Sequence, residues 1–157
     1  MLQGPADMHF KTVTECEQPV NIVQFAVTQK KYNRTMHLLD ITLSTPIPIG
    51  NDMIIEIKGS IKKQGGYKPG GLYMKEPACK TLSLLMGDLF INILQAAGVE
   101  ECPLPAGDHK ALDFYFDNEN FKVHQVYGEY RTEVLLYKDD ELQLCSLLYY
   151  DLVPKSK

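Results

Sequence analysis

The four cysteines are the residues of this chain best suited to covalent or metal chemistry. They stand at positions 16, 79, 102 and 145 of 157 residues, and no two form a C-x-x-C pair. Zinc sites and thioredoxin-like redox sites use closely spaced pairs, so neither is expected here. The cysteines alone leave two alternatives open: free thiols in the core of a cytosolic protein, or two disulfides in a secreted one.

The remaining candidates for catalysis are dispersed along the chain. Histidines occur at positions 9, 37, 109 and 124, without the spacing of a metal site, and the sequences H-E-x-x-H and G-x-S-x-G are absent. Asp108 and His109 flank a predicted turn, a setting typical of solvated surface. Asp40 interrupts an apolar strand from its polar face. We therefore predict that the chain is not an enzyme and expect no cofactor and no metal.

Length and charge indicate one globular domain that does not bind nucleic acid. The chain is 45% hydrophobic and 23% charged, and 157 residues are most simply a single domain covering 1–157. The formal net charge is -4. A nucleic-acid-binding protein should instead present a basic face. We expect a monomer.

The start of the chain and one sequon bear on secretion. The opening MLQGPADMHF lacks the apolar segment of a signal peptide, so a secreted protein would be present here in its mature form. We expect residues 1–7 to be disordered or a cloning remnant. Asn33-Arg34-Thr35 fits the N-glycosylation sequon, which makes Asn33 a candidate glycosylation site.

Most of the chain alternates between apolar and polar residues with the period of β-strands. The clearest case is DMIIEIKGSIK, in which Met53, Ile55, Ile57 and Ile61 share one face. Similar alternation predicts strands in MHFKTVTE, VNIVQFAVT, MHLLDITLS, the segment with Leu112, Phe114 and Phe116, and the segment from Val126 to Leu136. ELQLCSLLYYDLV is nearly continuous in apolar residues, which predicts a strand buried on both faces. Several long hairpins with one helix predict a mainly β fold, a two-sheet antiparallel sandwich or cup.

The segment QGGYKPGGLYMKEP, residues 64–77, interrupts this pattern. It contains four glycines and two prolines, and we predict a long mobile loop at a sheet edge. A phosphate-binding loop is not expected, because G-x-x-x-x-G-K-[ST] is absent.

One helix is predicted at about residues 80–98, between the second and third cysteines. Thr81, Asp88, Asn92 and Gln95 form a narrow polar stripe at helical spacing. The opposite side consists of Leu82, Met86, Phe90, Ile93 and Ala97, flanked by Leu84, Leu85, Leu89, Ile91 and Leu94. Asp88 near the centre would cost about 3 kcal/mol in a bilayer, so a membrane span fits poorly. The wide apolar arc predicts a core helix or one that borders a ligand.

The order of these features resembles the ML lipid-recognition superfamily, and within it the ganglioside-activator-like branch. The matching features are an early Cys16, then Cys79, a helical segment, and Cys102 followed by Pro103 and Gly107 before a strand. The chain also resembles the insect family that includes the chemosensory Che proteins, through Asn33-Arg34-Thr35 and the turn PIPIGND at residues 46–52. Four cysteines and no tryptophan depart from the ganglioside-activator pattern, so ganglioside specificity is not carried over.

This resemblance implies a secreted, non-catalytic β-cup that holds a hydrophobic small molecule or lipid, such as a fatty acid, phospholipid or semiochemical. It implies disulfides from Cys16 to Cys145 and from Cys79 to Cys102. A membrane surface or a receptor is a further partner that the resemblance allows. It also allows a secreted interaction module that acts through its surface, with Tyr67, Tyr73 and Tyr115 as anchors.

The expected ligand cavity lies between the two sheets. Its candidate lining combines the dry faces of strands with the apolar side of the helix. The lining residues are Phe25, Leu39, Ile41, Ile55, Ile57, Leu82, Met86, Phe90, Phe114, Phe116, Tyr130 and Leu148. The alternative for each of them is an ordinary core position, because any sandwich needs inward apolar side chains.

Overall fold

The structure, a computed structural model, is a sandwich of two antiparallel β-sheets with two helices at one side. It describes residues 6–31, 37–117 and 126–154. Asn33 and His124 lie outside these residues. The predicted mainly β fold with two antiparallel sheets is confirmed.

Eight strands and two short helices make up the described chain. The strands are β1 Ala6–Glu15, β2 Gln24–Lys31, β3 His37–Thr45, β4 Ile54–Lys63, β5 Gly66–Pro77, β6 Gly107–Tyr115, β7 Gly128–Lys138 and β8 Glu141–Pro154. The helices are α1 Ala78–Met86 and α2 Asp88–Ala96. The five-stranded sheet has the order β1-β8-β7-β4-β5, and the three-stranded sheet has the order β2-β3-β6.

The predicted inner faces of β4 and β7 are confirmed. Ile55 pairs with Leu136, Ile57 with Val134 and Ile61 with Tyr130, so the alternating apolar sets of β4 and β7 share the inner face. β8 lies between β1 and β7, and its consecutive residues 143–146 are all buried, so both of its faces are covered there.

The prediction of a loop over residues 64–77 is wrong. Gly66–Pro77 forms β5, the edge strand of the five-stranded sheet. Ser60 pairs with Pro69 whereas Lys58 pairs with Tyr73, so β5 carries extra residues in a bulge opposite Gly59. An edge strand tolerates Pro69 because one side of its backbone needs no ladder partner, and glycines absorb the bulge.

The single predicted helix is two helices separated at Gly87. Gly87 has φ 57° and ψ -131°, a backbone conformation that essentially only glycine adopts. The break changes the phase of the helical wheel. Asp88, Asn92 and Gln95 are exposed as predicted. Thr81 of the predicted polar stripe is instead fully buried, while Leu84 on the predicted apolar flank is 68% exposed.

Two further expectations need correction. In β6, Asp113 has φ 53° and the register shifts, so Ala111 and Phe114 pair with Ile41 and Leu39 while Leu112 is 57% exposed. The expected common face of Leu112 and Phe114 is therefore wrong. At the start of the chain, Ala6 and Asp7 belong to β1 and Ala6 is fully buried, so the expectation of disorder fails for these two residues.

Both disulfides implied by the resemblance are present. Cys16 is bonded to Cys145, which ties the end of β1 to β8. Cys79 is bonded to Cys102, which ties α1 to the segment after α2. Within the described ranges, no helix is long and apolar enough to cross a bilayer.

Candidate binding site between the sheets

The inner face of the five-stranded sheet is mainly apolar, but its contacts differ between the two ends. At one end the side chains pack with the three-stranded sheet and both helices. At the other end they pack chiefly with one another. We call the first group the shared cluster and the second the tyrosine cluster.

The shared cluster contains side chains from both sheets and both helices. Met53, just before β4, is fully buried within it. Its buried members are Val23, Ile49, Met53, Ile55, Ile57, Ala78, Phe90, Leu94, Leu104, Leu136 and Leu144, and half-buried side chains such as Phe25, Leu43, Leu82 and Met86 pack against them. This cluster holds the two sheets together at the end where β4 begins.

The tyrosine cluster lies at the other end of the same sheet face. Its buried members are Ala6, Tyr130, Tyr150 and Leu152, with Met8, Ile61, Tyr127 and Leu148 packed against them. Each of these members comes from the five-stranded sheet or from Tyr127 just before β7. Among the described residues, the three-stranded sheet therefore contributes nothing to this cluster.

The predicted cavity residues divide between the two clusters, and four of them belong to neither. Six of them belong to the shared cluster: Phe25, Ile55, Ile57, Leu82, Met86 and Phe90. Tyr130 and Leu148 belong to the tyrosine cluster. Leu39, Ile41, Phe114 and Phe116 belong to neither cluster, although Leu39 is buried and the other three are half-buried. The structure thus does not bring all twelve together.

The tyrosine cluster contains buried hydroxyl groups. The rings of Tyr130 and Tyr150 stack with centroids 5.6 Å apart, and the Tyr150 hydroxyl lies 2.7 Å from Thr132 Oγ1. Tyr130 donates its hydroxyl to the carbonyl oxygen of Val126 at 2.6 Å. Burial raises the pKa of both tyrosines, because the charged phenolate is poorly solvated there. The site is therefore uncharged, with hydroxyl groups held in place.

An open groove of about 420 Å³ lies between the unpaired edges of β1 and β2, and we call it the side slot. Val13, Thr14 and Glu15 form one wall, residues 24–28 form the other, and Leu144 and Ser146 of β8 contribute to the lining. Asn21 also lines it and donates from Nδ2 to Glu15 Oε1 at 3.0 Å. Of the twelve predicted cavity residues, only Phe25 lines this groove.

Most of the side slot was not predicted from the sequence. Val27 could have been predicted, because Val23, Phe25 and Val27 alternate with polar or small residues and so share one apolar face. The other lining residues are ordinary strand positions. Their proximity depends on which strand edges of the two sheets lie side by side.

A second open groove, of about 610 Å³, lies on the outer face of the five-stranded sheet beside the β5 bulge. Lys58 Nζ lies 3.5 Å from Glu133 Oε1 in its floor. Tyr73 donates its hydroxyl to Glu56 Oε2 at 2.7 Å, which lowers the pKa of Glu56 because the hydrogen bond stabilises the carboxylate. None of the predicted cavity residues lines this groove.

Cys16, Cys145 and Glu133 form a group of potential metal ligands, but their chemistry argues against a metal. Glu133 Oε2 lies 3.9 Å from each sulfur, and the sulfurs are bonded to each other. Metal binding requires thiolates, which a disulfide does not provide. The described histidines include His37, bonded to Gln29, and His109, bonded to the Pro105 carbonyl oxygen.

Comparison with models of known protein families finds no match. Comparison with curated proteins likewise finds no matching relative.

Proposed function

We propose that this chain is a secreted, non-catalytic carrier that holds a hydrophobic small molecule or lipid between its two sheets. The observation that carries the proposal is the contrast between the two ends of the sandwich. The shared cluster joins the sheets at one end, whereas no described residue of the three-stranded sheet belongs to the tyrosine cluster at the other.

The apolar residues of the three-stranded sheet outside the clusters support this location. Leu39 and Ile41 of β3 and Phe114 of β6 share one face through their pairing. β2 leaves the shared cluster at Val23 and Phe25, and Val27 and Gln29 pair with Ile41 and Leu39 further along. These residues lie away from the shared cluster. In that part of the sandwich, apolar faces of both sheets are available to a ligand.

The chemistry of this region suits a ligand with few polar groups. Pockets for such ligands are mostly apolar and contain a small number of fixed polar groups. The polar groups here include the hydroxyls of Thr132 and Tyr150, which are uncharged and bond to each other. A ligand therefore does not have to compensate a buried charge at these two residues. The resemblance to the ML superfamily adds support, and two disulfides are typical of proteins from oxidising compartments.

Native mass spectrometry of protein purified from eukaryotic culture tests the proposal. We expect co-purifying apolar molecules, identified after solvent extraction, on the wild type. Ile41→Asp places a charge on the inner face and should abolish retention. Leu112→Asp is the matched control, because Leu112 lies on the neighbouring strand and is exposed.

Both variants should keep their two disulfides and their circular dichroism spectrum. Wild-type protein that carries no apolar molecule, and acquires none when incubated with lipid, would contradict the carrier function. Replacement of Phe90 by a charged residue is a poorer test, because Phe90 is a buried member of the shared cluster and its loss affects folding.

A secreted surface-interaction module is the second candidate. Exposed apolar side chains favour it: Tyr73 is 62% exposed, Tyr115 is 50% exposed, and Leu84 on α1 is also exposed. Such residues are anchors when a partner buries them. Loss of binding to cell surfaces in Tyr73→Ala, with lipid retention unchanged, would favour this candidate.

A further inference from the structure

The side slot is bounded by two strand edges that have no ladder partner among the described residues. β1 pairs with β8 on its other side, and β2 pairs with β3. The two edges face each other across the groove, at Val13–Glu15 and residues 24–28. A chain-like molecule could therefore pass between β1 and β2 without breaking a backbone hydrogen bond of either sheet.

The slot lies beside the inner faces of both sheets. Register places Val13 opposite Leu148 and Glu15 opposite Ser146 on the inner face of β1 and β8. Val27 lies opposite Ile41 on the corresponding face of β3. The lining thus continues into the apolar residues that we propose contact the ligand.

One end of the slot is fixed by covalent and hydrogen bonds. Cys16 is bonded to Cys145, and the amide nitrogen of Val23 donates to the carbonyl oxygen of Gln143 at 2.9 Å. Asn21 forms a β-bridge with Leu144. The edges of β1 and β2 are therefore both held to β8 at this end.

The lining defines the chemistry of the polar end of a ligand. Thr14, Asn21, Gln24 and Thr28 are exposed and uncharged, and no lysine or arginine lines the slot among the described residues. Glu15 is the charged residue of the lining, and its carboxylate accepts from Asn21. A carboxylate or phosphate headgroup would be repelled by Glu15, whereas a hydroxyl or amide could bond to these side chains.

We propose that the side slot admits an elongated amphiphile with an uncharged headgroup. Its apolar chain extends between the sheets, and its hydroxyl or amide end rests against Asn21 and Gln24. This inference rests on the proposed carrier function and specifies the entrance and the headgroup class. A volume of about 420 Å³ lies within the range of small-molecule sites.

The test uses the fluorescent probe N-phenyl-1-naphthylamine, displaced by 1-dodecanol or by dodecanoate at pH 8. Val27→Trp fills the slot from a residue that belongs to neither cluster, and Gln24→Trp covers it from the exposed rim. We expect each to weaken dodecanol binding at least about tenfold. Leu84→Trp is the matched control, because Leu84 is an exposed side chain of α1, and this variant should bind like the wild type.

Glu15→Gln tests the headgroup preference separately. The amide keeps a hydrogen-bond acceptor for Asn21 and removes the negative charge. We expect dodecanoate to bind about fivefold more tightly than to the wild type, with dodecanol unchanged.

The outcomes separate this inference from the carrier function. A wild type that binds neither the probe nor dodecanol contradicts both. Tight binding that survives in Val27→Trp and Gln24→Trp, with their disulfides and circular dichroism spectra intact, overturns the slot but leaves the carrier. Equal gains for dodecanol and dodecanoate in Glu15→Gln overturn the assigned headgroup class.

Discussion

The two sides of the sandwich are closed in different ways. On one side α1 and α2 lie against β4, β5 and β6 and supply Ala78, Phe90 and Leu94 to the shared cluster. On the other side the edges of β1 and β2 leave the side slot, and the Cys16–Cys145 disulfide ties one end of it. A disulfide can thus restrain two sheets without filling the space between them, whereas packed helices do both.

The largest expected effect comes from removal of each disulfide. The Cys16–Cys145 bond spans 129 residues and the Cys79–Cys102 bond spans 23. The chain-entropy relation then predicts losses of unfolding free energy of about 5 and about 3 kcal/mol. Urea denaturation of the double alanine variants measures both, with each variant as the control for the other.

A larger loss from the Cys79–Cys102 variant would reverse this order. It would mean that the bond also holds α1 and α2 in place against the shared cluster, and that packing on the helix side depends on it. The slot side would then be the less dependent on its cross-link.

The next effect compares leucine truncations at the two ends of the sandwich. Leu94 of α2 is buried in the shared cluster, so Leu94→Ala should cost about 3 kcal/mol of unfolding free energy. Leu148 is half-buried beside the tyrosine cluster, and Leu148→Ala should cost about half as much. Chemical denaturation at 25 °C gives both values.

The exposed Leu84 is the control for truncation itself, and Leu84→Ala should change stability by less than about 0.5 kcal/mol. Equal costs at Leu94 and Leu148 would indicate that both ends of the interior are equally filled. Such a result would weaken the contrast on which the carrier proposal depends.

These two regions also differ in how far the sequence predicted them. Period-two alternation located the inner faces of β4 and β7, because pairing keeps an alternating set on one side of a sheet. The helical wheel predicted the exposed Asp88 and Asn92 but failed before Gly87, since one positive-φ residue resets the phase. The bulge in β5 hid a strand in glycine-rich sequence.

The side slot was the least predictable feature. Val13 and Val27 are close in sequence but lie on the edge strands of different sheets, so their proximity depends on how the two sheets pack. No local pattern contains that information. The resemblance implied the disulfide of Cys16 with Cys145 at one end of the slot, but it did not indicate the opening beside it.

A smaller effect is expected from the hydrogen bond between Tyr73 and Glu56, on the outer face near the helix side. The pKa of Glu56 is lowered chiefly by this bond. The bond therefore stabilises the folded protein above the ordinary glutamate pKa, and this stabilisation is lost as the pH falls through the pKa of Glu56 in the folded state. Tyr73→Phe should lower Tm by about 3 °C at pH 7. The difference from the wild type should shrink at pH 3, measured by calorimetry.

Tyr115→Phe is the control, because Tyr115 is an exposed tyrosine of the other sheet. It should leave Tm unchanged at both pH values. A Tyr73→Phe difference that grows on acidification would show that the bond does not stabilise the carboxylate form of Glu56.

The smallest effect is expected at the ion pairs that link β1 to its sheet on the slot side. Lys11 Nζ lies 3.1 Å from Glu129 Oε1 and 3.1 Å from Asp151 Oδ1, and all three side chains are partly exposed. Exposed pairs contribute little because water and salt screen them, so Lys11→Met should shift Tm by less than about 2 °C. The shift should vanish in 1 M salt, where screening is nearly complete. A larger shift in Tm that does not respond to salt would mean that β1 is held by these contacts rather than by its backbone ladder with β8. The β1 edge of the side slot would then be less firmly anchored than the β1–β8 register indicates.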